Sequence, residues 1–220
     1  TTAFGFYPHN FVGLNERASD HLANPTPNQP RERLWQVRAG QVIFATGSVE
    51  RPLTFPENDR PGIMMAEAAR LYLNRYGAIP GETATVFAAN DSAYRAAWDL
   101  KQAGVEIAVA DLRVNPAGPW VERIRAAGIP VYAETAIVGT RGRLRLGSAI
   151  LGRVGWRSGE TVPCDTLIMS AGFTPTVSLF SQTRGKLKWS EALGAYLPAH
   201  SVEGESSVGA CRGTFGLAAA

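Results

Sequence analysis

The six residues Ala88–Ala93 read Ala-Ala-Asn-Asp-Ser-Ala and stand where a dinucleotide-binding protein carries its phosphate-binding corner. That corner normally reads G-x-G-x-x-G/A, because its first glycine permits a tight turn and its second lets the backbone approach a pyrophosphate. Here alanine and Asn90 replace those two glycines, and only the last small residue is kept. The sequence therefore predicts a degenerate inner site, with Asn90, Asp91 and Ser92 as its candidate residues.

Three polar residues near this corner each have two interpretations. Asp91 or Ser92 could bind a ligand, or could cap the following helix by accepting its first free N–H groups. Asp111 ends the next apolar run, where an acid can accept ribose hydroxyls and select NAD over NADP. An acid at that position can equally be a solvated residue at the end of a strand. The sequence leaves these alternatives open.

A second group of candidate residues follows three further apolar runs. The predicted buried strand 41–45 runs directly into Thr46-Gly47, and an Ala-Thr-Gly turn at this place in two-dinucleotide flavoproteins brings the backbone close to the cofactor. The run 164–170 ends in Ala-Gly, and the run 207–213 contains two glycines that could reach back to the same cofactor. These segments predict an outer site made of Ala45, Thr46, Gly47, Gly172, Gly209 and Gly213.

The elements that position the inner corner are predicted by hydrophobic periodicity. Thr83–Ala88 is a short apolar and β-branched run, typical of a buried strand. Apolar residues then recur at helical spacing until Gly104, and a second apolar run follows over Glu106–Ala110. Strand, corner, helix, glycine and strand make a βαβ unit of dinucleotide-binding type.

The rest of the chain completes the predicted fold. A third parallel strand is expected over 129–133, and a β-meander over 136–140, 144–151 and 153–156; residues 10–22 could form a short helix or a turn. The predicted class is α/β, a Rossmann-like FAD/NAD(P)-binding fold of the two-dinucleotide-domain flavoprotein type, with a three-layer βαβ inserted domain and a meander. We expect a partial outer domain over 1–52 and 164–220 and the inserted domain over 53–163.

The composition argues against several classes of function. The net charge of +3 is spread without blocks of Lys or Arg, and no apolar run is long enough to span a bilayer, so neither nucleic-acid nor membrane binding is expected. Two distant cysteines and three scattered histidines show no metal-ligand spacing, which favours a reduced cytoplasmic protein without a metal. The chain starts without Met, and 214–220 reads as the start of a helix, as in a segment of a longer protein.

Several strings resemble the α subunit of heterotetrameric sarcosine oxidase along nearly the whole chain. They are FGFYPHNFVGL, RERLWQVRAGQVIFATG, ERPLTFPENDRPGIMMAEAARLYLNRYG, NDSAYRAAWDL and GACRGTFGLAAA. In that family the N-terminal half of the α subunit is built like a flavin-dependent reductase and holds NAD without hydride transfer. The resemblance implies β, γ and δ partner subunits, an FAD in β that oxidises sarcosine, and an FMN at the α/β interface.

Three further functions remain open beside this one. The chain could be part of a reductase that uses NAD(P)H itself, or of a related opine, proline or methylglutamate dehydrogenase α subunit. It could also be an interaction scaffold. In the sarcosine oxidase interpretation we expect the isolated chain to be inactive, and it could lack a bound cofactor. We also expect it to self-associate through open strand edges around Phe4, Phe44 and Leu167.

Overall fold

The computed structural model describes residues 1–216, which form two compact units. The flanking unit combines Thr1–Val49 with the described part of Thr174–Ala220, and the central unit is Glu50–Phe173. None of the helices in residues 1–216 is long and apolar enough to cross a bilayer. The helix predicted for 214–220 lies, beyond residue 216, outside the described residues.

Strands make up most of the regular elements in residues 1–216. The strands are β1 (Thr2–Tyr7), β2 (Phe11–Arg17), β3 (Glu32–Arg38), β4 (Val42–Phe44), β5 (Ser48–Glu50), β6 (Ile63–Met65), β7 (Thr83–Ala88), β8 (Glu106–Asp111), β9 (Val131–Tyr132), β10 (Thr135–Arg141), β11 (Ser148–Arg153), β12 (Glu160–Pro163), β13 (Thr166–Ser170), β14 (Phe173–Pro175), β15 (Lys186–Ser190), β16 (Ala195–His200) and β17 (Glu205–Ser207). The helices are α1 (Ala66–Tyr76), α2 (Ser92–Gln102), α3 (Pro119–Ala126) and α4 (Ser178–Gln182), with a 3-10 helix over Gly209–Arg212.

The central unit has three layers around a parallel sheet of order β6-β13-β7-β8-β9. Because successive side chains of a strand point to opposite faces of the sheet, neighbouring residues of β7 pack against different layers. Val86 packs with α1, α2 and α3 on one face, whereas Phe87 packs with the antiparallel sheet β10-β11-β12 on the other. The buried alanines of α2 recur at helical spacing and let that helix lie close to the sheet. The predicted three-layer α/β architecture and its meander are confirmed.

One strand lies in a different unit from the one expected. β13 was assigned to the outer domain and expected to leave an open edge at Leu167, but it pairs with β6 on one side and β7 on the other. Leu167 is fully buried between the two layers that cover the sheet. The unit boundaries accordingly fall at 49/50 and 173/174, and the expected ones were 52/53 and 163/164.

The meander differs from the prediction at its second and third strands. β11 begins only at Ser148, because residues 142–147 form a loop closed by the Gly147 N–H to the Arg141 carbonyl at 2.8 Å. The predicted strand over 153–156 is a turn in which the Trp156 N–H donates to the Arg153 carbonyl. Gly155 has a φ of 87° there, so the chain reverses and pairs again only at β12.

The flanking unit contains an antiparallel sheet β1-β2-β3, a parallel pair β4–β17 and an antiparallel pair β15–β16. Its core joins Phe6, Phe44, Phe180 and Cys211, with the rings of Phe6 and Phe44 edge-to-face at 5.0 Å. Residues 11–17, predicted as part of a short helix or turn, are strand β2. Its whole length pairs with β3, and this tertiary pairing decides the conformation.

Candidate functional site

The inner corner lies where the parallel strands of the central sheet end. Ser170 pairs with Ala88, and Ala88 with Asp111, so β13, β7 and β8 finish side by side. In open α/β sheets ligands bind outside the carboxyl ends of the strands. The candidate residues Asn90, Asp91, Ser92 and Asp111 all lie at this edge, as their sequence positions predicted.

Asn90 is the residue that caps the start of α2. Its Oδ1 accepts the Ser92 N–H at 2.9 Å and the Ser92 hydroxyl at 2.5 Å. Asp91 occupies the N-cap position with helical dihedrals and makes no side-chain cap bond. The interpretation of Asp91 or Ser92 as the cap of this helix was therefore wrong. The first helical N–H belongs to Ser92, and an Asn side chain two residues before it is well placed to accept that N–H.

Gly172 lies at this inner corner, against Asn90. It has a φ of 85°, and a side chain at this position would collide with the Asn90 amide. Its N–H donates to the Ser170 hydroxyl at 3.2 Å, and Ser170 Oγ lies 2.9 Å from Ser92 Oγ. A chain of hydrogen bonds thus runs from Gly172 through both serines to Asn90.

Asp111 is fully buried and bonded on every side. Its Oδ2 accepts the Tyr94 hydroxyl at 2.6 Å and Arg113 Nη2 at 2.8 Å, and its Oδ1 accepts the N–H of Arg113 at 2.8 Å and its Nε at 3.0 Å. Four donors use the four lone pairs of the carboxylate. The interpretation of Asp111 as a solvated strand-end residue was wrong. A ribose hydroxyl could bind it only by displacing one of these donors.

Arg113 joins this buried acid to the helix start. Its Nη1 lies 2.8 Å from Oδ1 of Asp91, and its bonds to the two carboxylates raise the pKa of Arg113. Burial and the adjacent Asp111 raise the pKa of the Tyr94 phenol, which keeps Tyr94 a donor. The anion at the start of α2, where the helix dipole favours negative charge, is therefore the chain's own Asp91 carboxylate.

The Asp91 carboxylate is also covered by the residue that starts α3. Gly118, the N-cap of α3, has a φ of 131°, and a side chain there would collide with Asp91 Oδ2. Gly118 and Gly172 thus approach the corner closely, while the Asp91 side chain is still 39% exposed.

The outer turns lie together within the flanking unit. β4 and β17 run parallel, with Phe44 opposite Ser207, so Ala45-Thr46-Gly47 and the segment from Val208 onward leave the same end of the pair. The Thr46 hydroxyl donates to the Thr176 carbonyl at 2.7 Å. Gly47 and Gly209 have φ values of 70° and 65°, and open space lies beside each Cα. This pair of turns is an accessible backbone surface at the carboxyl ends of two parallel strands.

Gly213 and Cys211 hold the second of these turns in place. The Cys211 thiol donates to the Phe44 carbonyl at 3.0 Å, which fastens the 3-10 helix to the end of β4. Gly213 ends that helix with a φ of 91° and packs against Leu197. Its role in the described residues is to close the turn.

Sequence reasoning missed Tyr94, Arg113 and Glu50. Tyr94 is the one aromatic side chain in the buried stripe of α2, and Arg113 follows Asp111 by two residues, which was a usable signal. Glu50 Oε2 accepts the Glu67 N–H at 2.9 Å at the start of α1, and burial raises the pKa of Glu50. In residues 1–216 no three His, Cys, Asp or Glu side chains lie close enough together to hold a metal ion.

The fold is that of the FAD/NAD(P)-binding oxidoreductases. The crystal structure of L-proline dehydrogenase from P. horikoshii matches it with a TM-score of 0.64 at 19% sequence identity, over 96% of this chain and 35% of that one. No model of a known protein family matches the chain.

Proteins with similar sequences give a more specific comparison than the shared fold does. The sarcosine oxidase α subunit of Rhizobium meliloti (strain 1021) is 43% identical over 219 residues, covering 100% of this chain and 22% of the relative. An opine oxidase subunit of Agrobacterium tumefaciens (strain Ach5) is 25% identical over 78% of this chain and 38% of that protein. The predicted resemblance to sarcosine oxidase α subunits is confirmed, and the chain spans about a fifth of the length of the first relative.

Proposed function

We propose that this chain is a supporting segment of the α subunit of a multi-subunit, sarcosine oxidase-like oxidoreductase that oxidatively demethylates sarcosine. The observation that carries this proposal is the 43% identity to a sarcosine oxidase α subunit over the full length of the chain. In this role the segment supports dinucleotide and flavin binding and subunit assembly, and the chemistry takes place on other parts of the complex.

The contacts at the inner corner support a placement of the dinucleotide elsewhere. A pyrophosphate would need the N–H groups at the start of α2, but the Ser92 N–H already donates to Asn90 and the Asp91 carboxylate already lies there, paired with Arg113. A ribose would need an acceptor on Asp111, which already accepts from four donors. NAD in the complete subunit would instead lie at the outer turns, where the backbone at Gly47 and Gly209 is open. FAD and FMN would lie on the partner subunit or at the interface with it.

The proposed partners are the β, γ and δ subunits of a cytoplasmic complex. The Rhizobium meliloti relative is itself one subunit of its sarcosine oxidase, which is consistent with an assembly of several chains. A second candidate is the α subunit of an opine or proline dehydrogenase, favoured by the opine oxidase relative and by the proline dehydrogenase fold. A reductase that uses NAD(P)H at the inner corner is the third, and the occupied corner weighs against it.

The test of cofactor placement uses two matched substitutions in the complete subunit. Gly209→Asp places a carboxylate at the outer turns, where the backbone has a positive φ and open space beside it. Gly104→Asp is the control, because it places a carboxylate at an equally open residue with positive φ at the far end of α2. Aspartate tolerates positive φ better than most residues, so both variants should fold. We expect Gly209→Asp to lose bound NAD and Gly104→Asp to retain it. Retention of NAD by both variants would contradict the placement.

The test of the reaction compares substrates on the assembled complex and on this chain. The complex should release peroxide with sarcosine in preference to proline or an opine. The chain alone, mixed with sarcosine, FAD, FMN and dioxygen, should release none above the blank. Turnover by the isolated chain, or a preference for proline or opines, would contradict the proposal.

A further inference from the structure

β3 is the outermost strand of the β1-β2-β3 sheet, and all seven of its residues are exposed. Its large apolar side chains are accessible, with Leu34 at 63% and Trp35 at 48% exposure. Open edges of this kind are templates for pairing with another strand.

The backbone groups that β3 presents outward follow from the bonds at its two ends. The Ala39 N–H donates to the Asn10 carbonyl at 3.2 Å, and the Ala18 N–H to the Arg31 carbonyl at 2.9 Å. Antiparallel ladders alternate, so odd-numbered residues of β3 bond to β2 and even-numbered ones face away. Glu32, Leu34, Gln36 and Arg38 therefore present their N–H and C=O groups outward, and no strand in residues 1–216 pairs with them.

β3 reads Glu-Arg-Leu-Trp-Gln-Val-Arg, with an acid at its first residue and a base at its last, so its two ends are opposite in charge when the strand is paired with a reversed copy of itself. We propose that β3 pairs antiparallel with β3 of a second copy of this chain, with Trp35 opposite Trp35. In that register Glu32 of each copy lies opposite Arg38 of the other, so two ion pairs form, one on each side of the symmetry axis.

Other registers lose this complementarity. A shift of two residues places Glu32 opposite Gln36, or Leu34 opposite Arg38, and breaks both ion pairs. A shift of one residue sets outward backbone groups against groups already bonded to β2. Charges on an edge strand usually discourage pairing, but here the opposite charges meet only in the Trp35-centred arrangement.

Glu32 and Arg38 are available for such a contact. Neither takes part in an ion pair within residues 1–216. Arg33 and Trp35 are in contrast held on the other face by Glu16, whose Oε2 accepts Trp35 Nε1 at 2.8 Å and pairs with Arg33 at 3.4 Å. This contact lowers the pKa of Glu16 and fixes the Trp35 ring at the centre of the strand.

A charge-swap series tests the pairing in this chain. Glu32→Arg and Arg38→Glu each replace two attractions by two repulsions, and the double variant restores both with reversed polarity. Sedimentation should show a dimer for the unmodified chain. Each single variant should weaken it roughly tenfold, and the double variant should recover it. Glu160→Arg on β12, the outer strand of the other antiparallel sheet, is the matched control and should leave the dimer unchanged.

Hydrogen exchange supplies a second readout. The N–H groups of Leu34 and Gln36 should become protected as the protein concentration rises, whereas that of Trp35, bonded to β2, should be protected throughout. A monomer at every concentration would overturn the proposal. So would a dimer that is indifferent to the single reversals, or one that the double variant fails to restore.

Discussion

Removing the Arg113 side chain should destabilise the central unit through the buried Asp111 carboxylate. In Arg113→Met the Tyr94 hydroxyl and the backbone N–H still donate to Asp111, but the guanidinium contacts at 2.8 and 3.0 Å are lost. Breaking a buried ion pair from one side costs about 3–5 kcal/mol, because it leaves an uncompensated charge. The Arg113 side chain is 30% exposed, so water can reach the gap, and we expect about 3 kcal/mol.

The control is the same substitution in an exposed ion pair. Arg153 contacts Glu134 at 3.1 Å with both side chains accessible, and Arg153→Met should cost less than about 1 kcal/mol. Urea unfolding followed by far-UV circular dichroism reports mainly on α1, α2 and α3, which all belong to the central unit.

A double variant separates charge from packing. Asp111→Asn combined with Arg113→Met removes the buried charge at position 111 and leaves only Asp91, whose side chain is 39% exposed, without its partner. The double variant should therefore recover part of the lost free energy of unfolding. If Arg113→Met costs no more than Arg153→Met, or if the added Asp111→Asn makes the loss larger, the reasoning about this buried carboxylate is refuted.

Three further predictions concern other buried groups. Because burial raises the pKa of Glu50, ionisation of this side chain destabilises the folded state at pH 7, and Glu50→Gln should therefore unfold at higher urea than the parent. The difference should shrink as the pH falls below the raised pKa and vanish below the ordinary pKa of glutamate. Both thiols are buried, so a thiol reagent should find Cys164 and Cys211 unreactive in the native protein and reactive after denaturation. Gly172→Ala should cost about 2 kcal/mol in urea unfolding, from strain at positive φ and the collision with Asn90; adding Asn90→Ala should lessen it.

Local periodicity was sufficient to predict the βαβ unit. The apolar runs of β7 and β8 have the pattern of buried strands, and the small buried residues of α2 recur at helical spacing. β13 carries an equally clear strand pattern. Its place between β6 and β7 could not be predicted, because a buried parallel strand has the same pattern wherever it pairs.

The candidate site was predicted by position and not by contacts. The edge of the sheet and its polar residues followed from the strand ends, but the side-chain partners did not. Asp111 is bonded by Tyr94 from α2 and by Arg113 from the next loop, and Asn90 reaches Ser92 because the turn brings it there. The contacts of Asn90 and Arg113 span only two residues and could have been found from the sequence, whereas the Tyr94 contact depends on packing between α2 and β8, which composition and spacing do not encode. β2 formed where a helix or turn was expected for the same reason.

The most direct test of the proposed cofactor placement is an NMR titration of NAD into this chain, following the backbone amides of residues 88–93. We predict that these signals do not shift at NAD concentrations up to about 1 mM, because Asn90, Asp91 and Arg113 already occupy the corner. Saturable shifts of residues 88–93 and of Arg113 at micromolar NAD would show that the dinucleotide binds at the inner corner, and would contradict the placement.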